Sequence, residues 1–464
     1  MHKSIVGNTC ALVLAAGKGT RMRSELPKVL HELLGKPMLW YLLSTLERVK
    51  FKNKFLVVGH GREHLAEAFP REEENFVFQE YQQGTGHALQ IAWERIRASG
   101  SKWLLVANGD TPLVSQVQLE MLISAVSSEN ADIALLTLNL DDSSDYGRLV
   151  RDGAGRICAV VEAKDYRPEL HGPCTGEVNS GIYMFRVEAL EDILFNLDRN
   201  NKQGELYITQ LISLGAAYNM KIVGVAAGNC PELLGINTPG QLVVQEEFLV
   251  RKRIDHLIDK GVIIRNRQQV RIGPEVELEA GVDITGPCEI YGKSYIGQGT
   301  VIDSHCVIRS SRLSGCKVLS FSHIENSDIS NDAVVGPFSR LRPGTVLERE
   351  SRIGNFVEIK NSRVGQGSKA SHLSYIGDTL MGNKVNVGAG TITCNYDGRK
   401  KHKTIIEDGV FIGSNSALVA PVKLKQGSLI GAGSTITMDV PEESLAVART
   451  RQKNLPGKNP LKKN

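Results

Sequence analysis

The sequence IGPEVELEAGVDITGPCEIYGKSYIGQGTVIDSHCVI, residues 272–308, carries an aliphatic side chain at every sixth position. A spacing of six is neither the period of a helix nor the alternation of a half-buried strand. It is typical of the hexapeptide repeat of a parallel β-helix, in which each aliphatic residue points into a triangular bore and three hexads form one coil of about 18 residues. The repeated positions are Ile272, Leu278, Ile284, Ile290, Ile296, Ile302 and Ile308.

The same spacing returns twice further along the chain. It is found at Val335, Leu341, Leu347, Ile353 and Ile359, and again at Ile406, Ile412, Leu418, Leu424, Ile430 and Ile436. The phase slips over 309–334, which predicts shortened coils or a loop. A longer break at 393–405 predicts an insertion, and insertions in a solenoid tend to lie on its binding face. We therefore predict a left-handed β-helix over 265–440.

The first half of the chain alternates short apolar runs with helical stretches. This pattern favours an α/β domain with a mostly parallel, Rossmann-like sheet, whose ligands bind beyond the carboxyl ends of the strands. We predict this domain over 1–235, a linker helix within 236–264 and a basic tail over 441–464. The predicted strands are 10–15, 54–58, 103–107, 133–138 and 221–226, and the predicted helices are 38–48, 87–97, 116–127 and 239–261.

The composition of the chain limits its partners and its compartment. Its 464 residues include 41% hydrophobic and 23% charged residues, with a formal net charge of +4. This balance gives no reason to expect nucleic acid or a membrane as partner, and no apolar run reaches the length that spans a bilayer. The first ten residues lack a signal-peptide pattern, and the eight cysteines show no paired spacing. We expect a cytoplasmic protein with free thiols.

The turn after the first strand, Ala16–Met22, reads AGKGTRM and is followed by Lys28. Its glycines allow backbone N–H groups to approach a phosphate, and Lys18, Arg21 and Lys28 suit the charge of a triphosphate. The spacing fits neither the Rossmann fingerprint nor the P-loop. The alternative is a solvated basic turn.

Three other features of the first half could contribute to a site. Asp110 follows an apolar strand, where a carboxylate could hold Mg²⁺ or simply lie in a surface turn. The glycine loop 84–87 opens a helix and could contact a base or a phosphate, although its histidine, His87, is more often a structural residue. The segments 146–148, 162–164 and 179–181 supply polar groups for sugar hydroxyls.

In the second half, Arg342 and Lys360 are 18 residues apart and should stack on adjacent coils. Two stacked cations repel unless an anion such as a sugar phosphate lies between them. The alternative is a solvated basic ladder. His372 is a candidate general base because its ordinary pKa lies near neutrality, and its nearness to the pair strengthens a role that a lone histidine would seldom have.

The segment LAAGKGTRM, followed by LPK, resembles the signature of the sugar-phosphate nucleotidylyltransferases. The motifs GTGHA, GD followed by Pro, YGR, VEAKD, NSGIY and GIN agree with it in order. Joined to hexapeptide coils, the chain resembles the bacterial bifunctional N-acetylglucosamine-1-phosphate uridylyltransferase/glucosamine-1-phosphate acetyltransferase family over nearly its whole length. It departs from the family at Asn108, where an aromatic residue that contacts nucleotide or sugar is expected.

The resemblance implies that a phosphate oxygen of N-acetylglucosamine 1-phosphate attacks the α-phosphorus of UTP and that pyrophosphate leaves. Arg21 and Lys28 would take part in catalysis, and Asp110 and Asn237 would hold Mg²⁺. The implied contacts to UTP and UDP-N-acetylglucosamine are Leu14, Ala15, Ala16, Gly17, Lys18, Lys28, Gln79, Gly84, Thr85, Gly147, Glu162, Asn179 and Asn237.

The resemblance also implies that glucosamine 1-phosphate accepts an acetyl group from acetyl-CoA, with His372 as general base. The implied sugar-phosphate contacts are Arg342, Lys360, Tyr375, Asn386 and Lys401. The implied acetyl-CoA contacts are Ala389, Asn395, Tyr396, Ser414, Ala432 and Arg449. The family's homotrimer would carry these sites between subunits, and UDP-N-acetylglucosamine would supply cell-wall and lipopolysaccharide precursors.

Two other functions are open on the sequence alone. In the first, the chain is a nucleotidylyltransferase whose β-helix only oligomerises or regulates. In the second, it is a non-enzymatic scaffold. The cluster of Arg342, Lys360, His372 and Asn395 argues against the first alternative, since a scaffold of coils would not need it. The cations and the carboxylate of the first half argue against the second.

Overall fold

The computed structural model describes residues 2–143, 145–459 and 461. The chain divides into two compact units, Met1–Glu247 and Phe248–Asn464. The boundary falls inside one long helix, Pro239–Asp259, which covers most of the predicted linker helix.

The first unit alternates strands and helices along the chain. Its strands are β1 (Thr9–Ala15), β2 (Glu32–Leu33), β3 (Lys36–Pro37), β4 (Asn53–Val58), β5 (Phe76–Phe78), β6 (Trp103–Asn108), β7 (Ile133–Asn139), β8 (Arg148–Arg151), β9 (Ile157–Val161), β10 (Glu177–Arg186) and β11 (Ile222–Ala226). Its helices are α1 (His2–Val6), α2 (Met38–Val49), α3 (Arg62–Ala68), α4 (Thr85–Ala98), α5 (Gln116–Ser128), α6 (Pro168–His171), α7 (Val187–Leu194) and α8 (Gln210–Ala217), and α9 (Pro239–Asp259) continues across the boundary.

The main sheet of this unit has the strand order β11-β7-β10-β6-β1-β4-β5. The pairs β1–β4, β1–β6, β4–β5 and β7–β11 are parallel, which confirms the predicted α/β class. β10 was not predicted. It runs antiparallel between β6 and β7 and carries the hairpin of β8 and β9 on its edge.

The central strand β1 explains why this sheet needs helices on both faces. Alternate residues of its sequence TCALVLA enter two separate apolar clusters, one containing Val13 and the other Leu12. Side chains of α2 and α5 complete the first cluster, and side chains of α4, α7 and α8 complete the second. A strand buried on both faces reads as a continuous apolar run, which is why the sequence signal was clear.

The second unit stacks short parallel strands into three sheets, and we name these sheets its first, second and third faces. The first face contains Ile263–Arg265, Asp283–Thr285, Val301–Ile302, Lys317–Val318, Val334–Val335, Arg352–Asn355, Lys369–His372, Asn386–Val387, Phe411–Ile412, Leu429–Ile430 and Leu445–Ala446. The second contains Val270–Ile272, Cys288–Tyr291, Cys306–Arg309, His323–Glu325, Arg340–Leu341, Glu358–Lys360, Tyr375–Gly377, Ile392–Cys394, Ala417–Val419 and Thr435–Ile436. The third contains Glu277–Leu278, Tyr295–Ile296, Arg312–Leu313, Ser327–Ile329, Thr345–Leu347, Arg363–Val364, Thr379–Met381, Thr404–Ile406 and Val422–Leu424.

The repeated aliphatic residues form the interior of this unit, as the spacing predicts. Ile290 and Ile308, for example, are fully buried partners on neighbouring coils. Burying an aliphatic side chain of this size stabilises a fold by about 1.5–3 kcal/mol, so the regular sequence carries much of the stability. The predicted β-helix of hexapeptide repeats is confirmed.

The phase slip in the sequence comes from shortened coils and not from a loop. Ile308 pairs with Ile324, sixteen residues later, whereas Leu341 pairs with Ile359, eighteen residues later. A corner can lose one or two residues while the interior side chain keeps its place. The longer break is an insertion, since Met381 pairs with Ile406 across the 395–403 loop.

Candidate active sites

The glycine turn after β1 borders a cleft of about 390 Å³ in the first unit. Gly19 lies in the left-handed region at φ 61°, and the side chain of Lys28 packs against it. Several residues predicted to contact UTP share this cleft, namely Leu14, Ala15, Ala16, Gly17, Lys18, Lys28, Gln79, Gly84 and Thr85. Asp110 borders it as well.

Lys28 joins the two residues predicted to hold a metal. Its Nζ lies 2.5 Å from Asp110 Oδ2 and 2.9 Å from Asn237 Oδ1, and Arg21 also donates to Asn237 Oδ1 at 2.9 Å. Asp110 and Asn237 therefore converge on one cationic atom in the described structure. The side chains of Lys28 and Asp110 are only 13% and 20% exposed, so water screens this attraction weakly.

Two backbone contacts explain how residues so distant in sequence meet. Gly109, between β6 and Asp110, donates its N–H to Leu14 O at 2.9 Å, and a Cβ there would lie 3.1 Å from that oxygen. Ile236 donates its N–H to Asp110 O at 2.9 Å, which places Asn237 beside the carboxylate. Asn237 thus reaches the site through a main-chain bond that the sequence pattern does not reveal.

The oxygen pair fits a hard divalent cation. Mg²⁺ prefers carboxylate and amide oxygens, binds few protein ligands and completes its octahedron with water and phosphate oxygens. Among the residues that the structure describes, no group of three or more His, Cys, Asp or Glu could form a metal cage. A site of two protein oxygens open to a triphosphate is consistent with both observations.

The second glycine loop begins at Gly84, whose φ is 108°. A Cβ there would lie 2.4 Å from Leu206 O, so only glycine fits this close approach. Gln79 donates to Gly84 O at 3.2 Å and lies 3.0 Å from Nδ1 of His87, which makes His87 part of the loop's own framework. Burial and then Arg199 lower the pKa of His87.

The residues predicted to contact the sugar lie together beside β10. Asn179 donates its N–H to Gly147 O at 2.8 Å, and Glu162 Oε1 accepts from Thr209 Oγ1 at 2.9 Å. A Cβ on Gly147 would lie 3.5 Å from Glu162 Oε2, so the carboxylate faces that glycine. Burial raises the pKa of Glu162, and its bond to Thr209 opposes the shift.

Asn108, the departure from the family pattern, lies at the end of β6 and borders the cleft. Its side-chain amide packs against Gly181, where a Cβ would lie 2.2 Å from Asn108 Nδ2. The glycine of the NSGIY motif therefore admits the amide. The sequence did not single out Gln82 or Glu205, which also border the cleft, and Gln82 donates to the carbonyl of Ala16.

In the β-helix, Arg342 and Lys360 lie on consecutive coils where the second face turns into the third. Leu341 pairs with Ile359, and Arg342 donates its N–H to Ile359 O at 2.8 Å. The predicted stacking on adjacent coils is found, and Arg342 has a carboxylate partner that the spacing did not predict, because its Nη1 donates to Glu358 Oε1 at 2.8 Å. Lys401 is instead the cation that most lowers the pKa of Lys360, followed by burial.

His372 lies at a different corner, where the first face turns into the second. It pairs with Asn355 on the preceding coil, and its Nδ1 lies 2.9 Å from Asn355 Oδ1. Asn355 was missed in the sequence, although its distance of one coil from His372 is a usable signal. This contact orients the exposed imidazole ring.

Four of the predicted acetyl-CoA contacts, Ala389, Ser414, Ala432 and Arg449, continue the His372 corner along the stack. Asn415 donates its N–H to Ala389 O at 2.7 Å, and Gly433 donates its N–H to Ser414 O at 2.8 Å. Arg449 donates to the carbonyl of Ala432. Ala389, Ser414 and Ala432 therefore follow one another on successive coils at this corner. Lys462 and Lys463, part of the predicted basic tail, lie outside the described residues.

One chain therefore does not place His372 beside Arg342 and Lys360. His372 precedes the second-face strand Tyr375–Gly377, whereas Lys360 ends the strand Glu358–Lys360 on the same face. The corner that carries His372 and the corner that carries Lys360 therefore lie at opposite ends of the second-face strands. The expectation of nearness rested on closeness in sequence, and the chain turns a corner between His372 and Tyr375. Tyr375 begins a second-face strand, and Asn386 begins a first-face strand.

The 395–403 loop leaves the corner where Lys360 lies. Asp397 organises its tip by accepting from the N–H groups of Arg399 and Lys400 at 2.7 and 2.6 Å and by contacting His402 Nε2 at 2.7 Å. These bonds hold the pKa of Asp397 well below its usual range. Tyr396, whose hydroxyl donates to Gly398 O at 2.7 Å, is exposed on this loop.

Comparison with known proteins agrees with this division. Residues 11–145 match the MobA-like NTP transferase domain, and residues 403–438 match the hexapeptide repeat of succinyl-transferase. The "Bifunctional protein GlmU" of Nitratidesulfovibrio vulgaris strain Hildenborough is 50% identical over 455 residues, which cover 98% of this chain and 99% of the relative. The chain belongs to the bifunctional GlmU family.

Two other GlmU proteins show the same extent of similarity. The protein of Nitratidesulfovibrio vulgaris strain Miyazaki F is 51% identical, covering 97% of this chain and 98% of the relative. That of Oleidesulfovibrio alaskensis is 48% identical, covering 96% and 97%. GlmU membership and the two domain matches make this chain a bifunctional transferase, with uridylyltransferase and acetyltransferase activities. The two alternatives raised by the sequence are set aside.

Proposed function

We propose that this GlmU protein acetylates glucosamine 1-phosphate with acetyl-CoA and then transfers UMP from UTP to N-acetylglucosamine 1-phosphate. The products are UDP-N-acetylglucosamine and pyrophosphate, and the nucleotide sugar serves cell-wall and lipopolysaccharide synthesis. The convergence of Arg21, Lys28, Asp110 and Asn237 at the mouth of a glycine-lined cleft is the observation that carries the proposal.

For uridylyl transfer, the residues of the cleft position the substrates and neutralise charge. The 14–17 backbone holds the nucleotide, Lys18 and Arg21 face the leaving pyrophosphate, and Lys28 faces the attacked phosphorus. Gln79, Gly84 and Thr85 contact the uracil, and Gly147, Glu162 and Asn179 contact the sugar. A sugar-phosphate oxygen forms the new bond to the α-phosphorus while the bond to the pyrophosphate oxygen breaks.

Magnesium, held by Asp110 and Asn237, would neutralise negative charge on the triphosphate. Lys28 contacts both oxygens in the described structure, so a metal held by them would compete with its ammonium group, which would then be available to the substrate phosphates. The cluster is thus arranged for exchange between a protein cation and a metal cation.

For acetyl transfer, His372 acts as general base. Its Nδ1–H donates to the Asn355 amide oxygen, which leaves the lone pair of Nε2 free to accept a proton. The substrate amine attacks the thioester carbonyl, the C–N bond forms, the C–S bond breaks, and the amine proton passes to Nε2. The thiolate of CoA leaves and is protonated.

The sugar phosphate is held by Arg342, Lys360, Tyr375, Asn386 and Lys401. Ala389, Asn395, Tyr396, Ser414, Ala432 and Arg449 hold acetyl-CoA. Because one chain places the cations and His372 at opposite corners of the second face, a second copy completes each site, and we propose a homotrimer. Phe321, Phe338 and Phe356 support this assembly: their rings stack at 4.8 and 5.4 Å along one corner and are about half exposed.

We also propose that the enzyme works in the cytoplasm. All eight cysteines are free in the structure, as suits a reducing compartment. In the part of the chain that the structure describes, no helix is long and apolar enough to cross a bilayer.

One assay tests both reactions. Purified protein receives glucosamine 1-phosphate, acetyl-CoA, UTP and Mg²⁺, and free thiol and pyrophosphate are followed separately. We expect thiol release first, and pyrophosphate release only once N-acetylglucosamine 1-phosphate has formed. If glucosamine 1-phosphate and acetyl-CoA gave no thiol while added N-acetylglucosamine 1-phosphate still gave pyrophosphate, the acetyl-transfer half would be contradicted. If neither thiol nor pyrophosphate appeared, the whole proposal would be contradicted.

A further inference from the structure

A column of three polar side chains runs along the corner that carries Lys360. Asp378 Oδ1 accepts from Asn361 Nδ2 at 2.5 Å, and Asp378 Oδ2 accepts from Asn395 Nδ2 at 2.5 Å. Each residue comes from a different coil. Asp378 is only 8% exposed, and a buried carboxylate is costly unless its oxygens are satisfied, as they are here.

Asp378 also holds both ends of the 395–403 loop. Its side chain binds Asn395, where the loop leaves the coil, and its backbone carbonyl accepts the N–H of Thr404 at 3.2 Å, where the chain rejoins the stack. The N–H of Asp378 donates to Lys360 O at 3.0 Å. One residue therefore fastens the loop to the coil that carries Lys360.

The charges around Lys360 indicate what this fastening achieves. Lys401, in the loop, and Arg342, on the coil before, both oppose a charge on Lys360, and the nearby carboxylate of Asp378 favours it. A loop held in this position places the Lys401 and Lys360 ammonium groups side by side. Adjacent cations form a site for a dianion such as a phosphate monoester.

We infer that Asp378 is the positioning residue of the acetyltransferase, which holds Lys401 beside Lys360 so that the two bind the phosphate of the sugar substrate. Asp378 itself does not touch the substrate. The inference rests on the proposed acetyl transfer and adds to it a residue through which the loop and the coil act as one site.

The test compares two matched variants of the full-length protein. Asp378→Asn keeps the shape of the side chain but removes the charge and one acceptor. The control is Asp408→Asn, since Asp408 also accepts from an asparagine of a neighbouring coil, the N–H and Nδ2 of Asn383 at 2.7 and 3.3 Å, away from this loop. Both variants are assayed for acetyl transfer and for uridylyl transfer.

We expect Asp378→Asn to raise the KM for glucosamine 1-phosphate roughly ten- to hundredfold, the scale of a lost bond to a charged group. The KM for acetyl-CoA should rise less, because the loop gives that substrate only Asn395 and Tyr396 among its proposed contacts. Uridylyl transfer should not change, and Asp408→Asn should match the unaltered protein. An equal rise in both substrates' KM, or the same effect in Asp408→Asn, would show a merely structural role and overturn the inference.

The pH profile gives a second, independent result. Removing the carboxylate takes away an influence that raises the pKa of Lys360, so its ammonium should lose its proton at lower pH. The alkaline rise in KM for glucosamine 1-phosphate should therefore begin at lower pH in Asp378→Asn. An unmoved profile would contradict the charge argument.

A milder variant covers the case in which Asp378→Asn does not fold. Asn361→Ala removes one donor and keeps the carboxylate, and should raise the same KM roughly three- to tenfold. No change there would overturn the inference as well. If the unaltered protein releases no thiol, the proposed function has failed; if it does and both variants match it, only this inference has failed.

Discussion

The two reaction centres of this GlmU protein gather their residues in different ways. In the first unit, Lys28, Asp110 and Asn237 come from widely separated parts of the chain and meet within 2.9 Å. In the second unit, His372 and Lys360 are only twelve residues apart in sequence and lie at opposite corners of one face.

The difference follows from the two architectures. A parallel sheet delivers the ends of many strands to one edge, so distant segments can surround a ligand. A solenoid brings each residue next to its equivalents on the neighbouring coils and to little else. A solenoid therefore arranges side chains in columns along its corners, and such a column borders a cleft only when a loop or another subunit faces it. We therefore expect the first centre to be complete within one chain and the second to be shared.

The largest effect is expected from His372→Ala, which removes the proposed general base and should slow acetyl transfer by roughly 10²–10⁴-fold. Uridylyl transfer should be unaffected, because the first unit contains its own cluster. Thiol and pyrophosphate release are measured on the same sample. His256→Ala, which removes an exposed histidine of α9, is the control. Loss of both activities in a folded protein would contradict two separate centres.

Asp110→Ala should have the converse effect. It removes a proposed metal ligand and leaves Lys28 without its ion pair, so we expect uridylyl transfer to fall roughly 10²–10³-fold, the equivalent of several kcal/mol of charge stabilisation. Acetyl transfer should continue, and the rate of uridylyl transfer should depend less on the magnesium concentration. The exposed Asp141→Ala is the comparison variant. Unchanged pyrophosphate release would remove Asp110 from the centre.

Mixing variants tests the comparison directly. Lys360→Ala and His372→Ala chains, each inactive in acetyl transfer, should regain activity when co-expressed, since a shared site can take Lys360 from one copy and His372 from another. Random assembly should restore about a quarter of the sites. Co-expressed Asp110→Ala and Lys18→Ala should regain no uridylyl transfer. Absence of recovery in the first mixture would mean that each chain completes its own acetyl site.

The smallest effect concerns pH in the first unit. Burial raises the pKa of Glu162, so its carboxyl becomes protonated at a higher pH than an ordinary glutamate as the solution is acidified. A protonated carboxyl accepts hydrogen bonds from sugar hydroxyls less well than a carboxylate does. The KM for N-acetylglucosamine 1-phosphate should therefore rise about two- to tenfold as the pH is lowered.

Glu162→Gln should abolish that acid-side dependence. Glu177→Gln should keep it: burial raises the pKa of Glu177, but the bond and charge of Arg151 together outweigh burial and lower that pKa. A profile that remains the same in Glu162→Gln would assign the titration to another group.

Much of the fold could be predicted because both halves carry regular signals. The six-residue spacing identified the β-helix, and the apolar runs identified β1, β4, β6, β7 and β11. β10 was missed although Ile182–Phe185 is fully buried, because the polar residues at the start of its NSGIY motif interrupt the apolar run. A strand that begins at a proposed binding site carries polar residues there, so its apolar pattern is shorter than the strand itself.

The candidate sites were less accessible from the sequence alone. The glycine turn and Asp110 have local signatures, whereas Asn237 reaches the cluster through a bond between Ile236 and Asp110 that only the fold reveals. In the β-helix, spacing placed Arg342 above Lys360 but could not show that Glu358 pairs with Arg342. Asp378 was missed, although its partners Asn361 and Asn395 are each seventeen residues away, the same spacing of one coil that relates Asn355 to His372.

The number of coils at the His372 corner also sets a length, the distance along the stack from His372 to the last proposed acetyl-CoA contacts. Each coil advances the stack by the strand spacing of about 4.8 Å, so Ala389, Ser414 and Ala432 lie one, two and three coils beyond His372, and Ala432 is roughly 14 Å from it along the stack. On the proposed function, the length of the thioester donor that fits is therefore a whole number of coil spacings. Removing one coil beyond His372 would shorten this distance by one coil spacing while keeping the interior register, and would favour donors with a correspondingly shorter arm.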